Sequence, residues 1–303
     1  MAKIVGIGAN VFDTLYNIQT YPQEDTKMRA TASKTAGGGP VATGLVAAAK
    51  LGAKTAYIGV LSDDNGGKFL KEDFEKYGVE TDLISVMSGY RSFASVLWLC
   101  ADKATRTCVF DKGDLPPLKL DEMQKRAIEN ASLLMVDGNE MDAAVEAATL
   151  AKSTGVKVLY DCGGLYPNVE KLLACTDIMI PSEEFALGHT GCETLESAAK
   201  KLFATYHPEV VVITRGKQGG ILYDGEMVAY YPAFAVNAVD TNGSGDVFHG
   251  AFAAAVTKGY DYFKCCIFAS AVAALKCTGI GARESAPNLE ETKKFLKENG
   301  YEL

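Results

Sequence analysis

The chain has 303 residues, 48% of them apolar, which is enough for one large core with or without a small appendage. Its net charge of −8 argues against nucleic acid and anionic membrane surfaces as main partners, and no apolar run approaches the roughly 18 residues that a bilayer span needs. Eight cysteines without a CxxC pair indicate neither a zinc site nor a disulfide framework, and the opening MAKIVGIGANVFD meets Asp13 before a signal-peptide core can form, so a cytoplasmic protein is expected.

Residues 3–8 (KIVGIG) form a short apolar run ending in glycine, as a buried first strand does. Gly6-x-Gly8 begins like a dinucleotide fingerprint, but Val11 stands at the third glycine position and no helix pattern follows, so a dehydrogenase is set aside. Residues 9–32 are polar and mixed. The cluster Gly37-Gly38-Gly39 then runs into VATGLVAAAKL (41–51), a helix of small residues stopped by Gly52, where backbone can approach a ligand.

A strand is expected at 55–59 and a helix at 67–77. Residues 91–110 show two extended segments around the turn ADKAT, with Cys100 and Cys108 expected to face each other, each four residues from Ala104. Tyr90, Phe93 and Trp98 suit such a hairpin if it covers a site or pairs with another subunit. After GDLPPL, strands at 133–136, 156–161, 178–180 and 210–214 alternate with helices at 141–153, 169–174, 183–187 and 195–206. That alternation implies a parallel sheet with helices on both faces and ligands at the carboxyl ends of its strands, where Asp137, Asp161 and Arg215 fall. A hairpin at 221–231 and helices at 263–277 and 289–298 complete the pattern.

The stretch DTNGSGDVFHGAFAAAV at 240–256 carries the chemistry. Gly243, Ser244 and Gly245 lead into a packed helix whose N-terminus, with free N–H groups and the positive dipole end, is an anion site. Asp246 beside a phosphate would repel it unless the carboxylate accepts a proton from an attacking hydroxyl. Taken alone, the same residues also read as a turn followed by an Asp cap.

Two stretches together, GGGPVATGLVAAAKLG (37–52) and DTNGSGDVFHGAF (240–252), resemble the ribokinase (PfkB-type) carbohydrate kinase family, in the family's order. The hairpin after Tyr90, ITRGKQGG and ASAVAALKCTGIGA extend the likeness over nearly the whole chain. The resemblance implies one ribokinase-like α/β domain over residues 1–303, with a parallel-dominated central sheet and a small β lid from about 10–36 and 88–112. It also implies transfer of the ATP γ-phosphoryl group to a sugar hydroxyl, with Mg2+ on the phosphates and often K+ held nearby by carbonyls.

Carried over residue by residue, Asp246 matches the family's catalytic base, and Gly243, Ser244 and Gly245 match its anion hole. Asp13 matches the carboxylate that holds sugar hydroxyls, with Asn10 beside it, and Gly38 and Gly39 match the substrate-side glycines. Thr214, Gly216, Lys217 and Gly219 match the nucleotide-side loop, with Arg215 a candidate phosphate contact, while Ala273, Lys276 and Cys277 lie where the family lines the adenine pocket. Thr43 replaces the usual asparagine of the substrate side. The NxxE motif that orders magnesium-bound water falls on PSEEFA, so Glu183 or Glu184 would substitute by a shift. Asp240, Asn242 and the loop at 279–285 match the monovalent-cation place.

An ATP-dependent sugar kinase is the leading expectation. A nucleoside kinase of the same fold is the alternative and would need an aromatic slot from Phe93, Trp98 or Phe110. A catalytically silent sugar- or nucleotide-binding protein is the competitor from another class, supported only by the altered NxxE region. Lys27 could meet an acidic sugar, but the segment DGNEMD offers Asn139 and Glu140 rather than a basic residue, which counts against a strongly anionic one. His189, His207 and His249 are too dispersed for a metal site, and exposed lid strands favour a homodimer through the lid.

Overall fold

The computed structural model describes residues 3–103, 105–164 and 166–302; Ala104, in the expected ADKAT turn, lies outside the described residues. The N-terminal part runs β1 (Lys3–Ile7), β2 (Val11–Ile18), β3 (Ala32–Gly38), α1 (Pro40–Lys50), β4 (Lys54–Ser62), α2 (Asn65–Lys76), β5 (Val79–Glu80), β6 (Ile84–Met87), β7 (Ala94–Cys100) and β8 (Thr105–Asp111). The middle continues α3 (Glu122–Glu129), β9 (Leu133–Val136), α4 (Met141–Ser153), β10 (Lys157–Cys162), α5 (Val169–Leu173), β11 (Ile178–Pro181), α6 (Glu183–Thr190), α7 (Leu195–Tyr206) and β12 (Val210–Thr214). β13 (Gly220–Tyr223), β14 (Val228–Tyr231), α8 (Ser244–Thr257), α9 (Tyr262–Lys276) and α10 (Leu289–Glu298) follow.

The main sheet has the order β14-β13-β12-β11-β10-β9-β1-β4-β5, with β6 also pairing β4. It is parallel from β12 to β5 and turns antiparallel only at β13 and β14. Its strands are apolar on both sides because both faces are covered, and the pleat divides them: Ile4, Leu133 and Met135 face α1, α8 and α9, whereas Val5, Leu134 and Val136 face α4 to α7. The two helices behind the glycine stretches cross almost backbone to backbone. A Cβ on Gly250 would stand 2.0 Å from the Gly44 carbonyl oxygen, so that position has no room for a side chain.

A separate four-stranded sheet, β3-β2-β7-β8, draws on residues 11–38 and 94–111. Residues 9–32 gave no strand pattern in the sequence, yet β2 is eight residues long with alternating burial. The signal was hidden because Asp13 occupies one of its inward positions, between Val11 and Leu15. Register places Leu97 opposite Cys108 and Cys100 opposite Thr105, so the two cysteines do not face each other: the hairpin is centred on Asp102 and Lys103, ahead of Ala104. Every residue of β8 is exposed, including Val109 and Phe110. Among the described residues no helix is long and apolar enough to cross a membrane.

Candidate active site

The two glycine-rich stretches meet at the carboxyl edge of the main sheet. Gly243 caps α8 at φ 73° with no side-chain cap, and the N–H groups of Gly245 and Asp246 have no acceptor among the described residues. A Cβ on Gly245 would meet nothing within 4 Å, so the cup opens outward. Free donors, an open approach and the positive helix end make it a receptor for an anion. Asp246 stands half-buried at its rim. Burial raises its pKa above the usual carboxylate range, while the charges of His249, Arg106, Arg283 and Lys276 pull it down.

His249 lies one turn further along α8, inside the protein. Its Nδ1 is 2.6 Å from the Gly245 carbonyl oxygen and 3.3 Å from Asp161 Oδ2, and its Nε2 is 3.0 Å from the Ile180 carbonyl oxygen. Both ring nitrogens thus lie within hydrogen-bond distance of main-chain carbonyls, with the buried Asp161 carboxyl alongside Nδ1. Burial pushes the Asp161 carboxyl up, and His249 opposes the shift. The Gly245 carbonyl belongs to the same peptide as the Asp246 N–H, so this bond polarises an amide of the cup. Asp161 was expected on this edge; its pairing with His249 was not.

On the opposite side, Asp13 hangs from β2 and accepts a hydrogen bond from Ser95 Oγ at 2.6 Å. Gly38 makes room for it, since a Cβ there would stand 2.0 Å from Asp13 Oδ2. Burial raises the Asp13 carboxyl to about 6, partly offset by Ser95 and Arg283, and the negative charge of Asp246 raises it further. The two carboxylates therefore share one electrostatic neighbourhood. Arg283, missed in the sequence, reaches it too, donating to Asn10 Oδ1 at 2.8 Å, to the Gly38 carbonyl at 2.6 Å and to Asp73 at 2.7 Å. Asn10 Nδ2 is buried with no partner, an unspent donor that a ligand hydroxyl would satisfy.

Asp137 fixes the first glycine cluster from below, accepting from Ala9 N at 3.0 Å and Val41 N at 3.3 Å. Gly39, at φ 96°, packs onto the Ala9 carbonyl. A cavity of about 490 Å3 opens beside them, lined by Asn10, Phe93, Lys112, Asn139, Glu140 and Tyr166. Thr43 is fully buried in α1 with an unpartnered hydroxyl, and Lys27 lies exposed in the segment between β2 and β3, away from this cavity.

The nucleotide-side residues gather at the ends of β12 and α9. Thr214 pairs with Gly220 and bridges to Ser182, Arg215 N–H donates to the Gly219 carbonyl, and Gly216 and Lys217 form an exposed 3-10 turn. Ala273 and Cys277 are half-buried, the Cys277 carbonyl accepts from Val239 N–H, and the side chains of Val239 and Ile280 are exposed. Lys276, expected beside them in an adenine pocket, is instead fully buried and donates to the Asp240 carbonyl.

The implied ions fit unequally. Glu183 is held 3.4 Å from Arg215 Nε and Glu184 faces outward, and among the described residues no three His, Cys, Asp or Glu groups gather, so the chain builds no cage of its own for Mg2+. At the place assigned to K+, Asp240 Oδ1 already accepts from Asn242 N and Oδ2 from Gly281 N, and the Lys276 ammonium covers the carbonyl. That set does not fit an added monovalent cation.

Comparison with known proteins agrees with this arrangement. The model of the pfkB family of carbohydrate kinases matches residues 1–289. Ribokinase of Haemophilus influenzae is 30% identical over 267 residues, covering 86% of this chain and 87% of its own length. A 5-dehydro-2-deoxygluconokinase of Clostridium perfringens is 27% identical, covering 89% of this chain and 86% of that protein. The structure of Arabidopsis thaliana ribokinase complexed with ribose and ATP superposes with a TM-score of 0.87 at 27% identity, over 98% of this chain and 99% of that one. With the helices of the two signature stretches packed against each other and the family model matching residues 1–289, the chain belongs to the pfkB family of carbohydrate kinases.

Proposed function

We propose that this carbohydrate kinase transfers the γ-phosphoryl group of ATP to a hydroxyl of a neutral sugar held between Asp13 and Asp246. The observation that carries the reading is the open amide cup of α8, whose Gly245 and Asp246 N–H groups have no acceptor among the described residues, at the helix that packs against the α1 of the first glycine cluster. Asn10 and Asp13 would hold the acceptor's hydroxyls, and Asp246 would take the reacting proton late in a loose transition state. The cup N–H groups, with the Asp246 amide polarised from behind by His249, would receive the charge on the moving phosphoryl group. Mg2+ would arrive on the ATP phosphates, where it neutralises charge, with Arg215 and Glu183 nearby at the strand end.

A nucleoside acceptor is the second reading, because Phe93 lines the cavity and packs on Phe110 with ring centroids 5.8 Å apart, but Trp98 takes no part in such a slot. Trp98 shares the face of Tyr16, opposite to that of Asp13 and Ser95, and packs on Tyr21 with ring centroids 6.5 Å apart. It cannot form a slot for a base. Glu140 and Asn139 in the cavity, with Lys112 as the counter-charge, suit hydroxyl recognition over a strongly anionic group. A coupled assay for ADP across ketoses, pentoses, deoxy-sugars and nucleosides tests the reading. Sugar-dependent ADP release is expected; release with nucleosides alone, or with none, removes it.

The pH profile gives a second check. Asp13 must be ionised to accept two sugar hydroxyls, and its carboxyl sits near 6, so kcat/KM for the sugar should fall about tenfold per pH unit below that value. Because the native pKa is above the unfolded one, the native state binds more protons in this window, and stability should rise slightly as pH falls while activity is lost. Asp13→Asn should flatten this limb; an unchanged limb in that variant assigns it elsewhere.

We further propose that the small sheet acts as a lid and joins two chains in a homodimer. β8 is a fully exposed edge strand whose unpaired backbone, with Val109 and Phe110, would be hidden by pairing with a second copy. Sedimentation should give twice 32.3 kDa, and a Val109→Lys, Phe110→Lys double variant should give the single mass. A monomeric parent chain at micromolar concentration rejects the dimer. A cytoplasmic setting suits eight cysteines, none of them disulfide-bonded.

A further inference from the structure

Lys276 is a lysine with no exposed surface. Removing an ammonium from water is costly unless fixed partners replace its hydration shell. Here one residue replaces most of it. Nζ donates to the Asp240 carbonyl at 2.6 Å and lies 3.7 Å from Asp240 Oδ2. Asp240 Oδ1 accepts from Asn242 N at 2.8 Å and Oδ2 from Gly281 N at 2.8 Å, while the Cys277 carbonyl accepts from Val239 N and Asp240 N. One buried ammonium thus ties the segment that enters the anion cup to the end of α9 and the loop beyond it.

We propose that the Lys276 ammonium is a built-in monovalent cation, standing at Asp240 where the family resemblance places K+, so that this kinase works without an added one. The charge is the same, and an ammonium group resembles K+ in size and in its preference for carbonyl and carboxylate oxygens. A K+ ion drawn to the same oxygens would have to sit against a like charge that cannot leave, because Lys276 is tethered from the last turn of α9. The tether also keeps the charge in place at any salt concentration. Its position holds Asp240, and through Asn242 the backbone entering Gly243, in the shape that leaves the cup amides free.

The inference rests on the phosphoryl-transfer reading for its kinetic arm only; its thermal arm needs no turnover. Thermal unfolding of the full chain in KCl, NaCl and tetramethylammonium chloride at equal ionic strength should give the same midpoint, and turnover in the three salts should agree within twofold. Lys276→Met in tetramethylammonium chloride should melt roughly 5–10 °C lower, as expected when a buried charge loses its partner. The same variant should turn over about a hundredfold more slowly through loss of cup preorganisation. Adding KCl or NH4Cl to that variant should raise its midpoint and restore turnover at least tenfold, with NaCl less effective. A parent chain whose midpoint or turnover rises specifically with K+ overturns the proposal, as does a folded variant indifferent to K+. If the variant does not fold, the parent's response to K+ decides alone, and if no sugar supports turnover its thermal response still does.

Discussion

Asp246→Asn should lower turnover about a thousandfold while ATP still binds, because it removes the proton acceptor and leaves the amide cup intact. Asparagine keeps the shape and the helix start, so thermal stability should hold or rise slightly: the half-buried carboxylate, its pKa raised by loss of hydration, is costly to keep charged. The measurement is kcat with a saturating sugar beside ATP affinity by titration. Turnover within tenfold of the parent would assign the proton to another group, and lost ATP binding would mean that the substitution had disturbed the cup.

Gly250→Ala should destabilise the chain by about 2–4 kcal/mol, although it lies away from any ligand and adds one methyl group. The new Cβ would stand 2.0 Å from the Gly44 carbonyl oxygen, and backbone cannot swing aside as a side chain would. α1 and α8 would have to separate, and α1 also carries the first glycine cluster at its N-terminus. The variant should therefore lose sugar affinity as well as several degrees of melting temperature, read by thermal unfolding and by KM. Gly259→Ala is the comparison: its Cβ would meet nothing within 4 Å, so only the left-handed φ of 83° is at stake, at a cost of about 1–2 kcal/mol with no loss of sugar affinity.

Much of this molecule was legible in the sequence where the physics is local. The alternation after residue 130 fixes the parallel sheet, and β9, α4, α7, β12, β14 and α10 fall on the residues their patterns indicate, because each pairs a continuous apolar run or stripe with a clear stop. The small sheet was less legible. β2 turns a carboxylate inward, so the strand with the most chemistry shows the weakest apolar period. What escaped notice depends on partners far along the chain: Arg283, with Asn10 and Gly38, and the pairing of His249 with Asp161. Arg106 escaped for another reason, since only the β2–β7–β8 register puts it on the cleft-facing side with Asp13. Lys276 was read by its place in a motif, and its burial sends the side chain elsewhere.

The placement of Asp13 on the small sheet and Asp246 on the main body has a mechanical meaning. On the proposed lid reading, like charges carried on two sheets would act as a weak spring against closure of an empty mouth. A polyol seated between them would cushion that repulsion with its hydroxyl hydrogens. Closure would then follow acceptor binding, which would keep water from taking the acceptor's place.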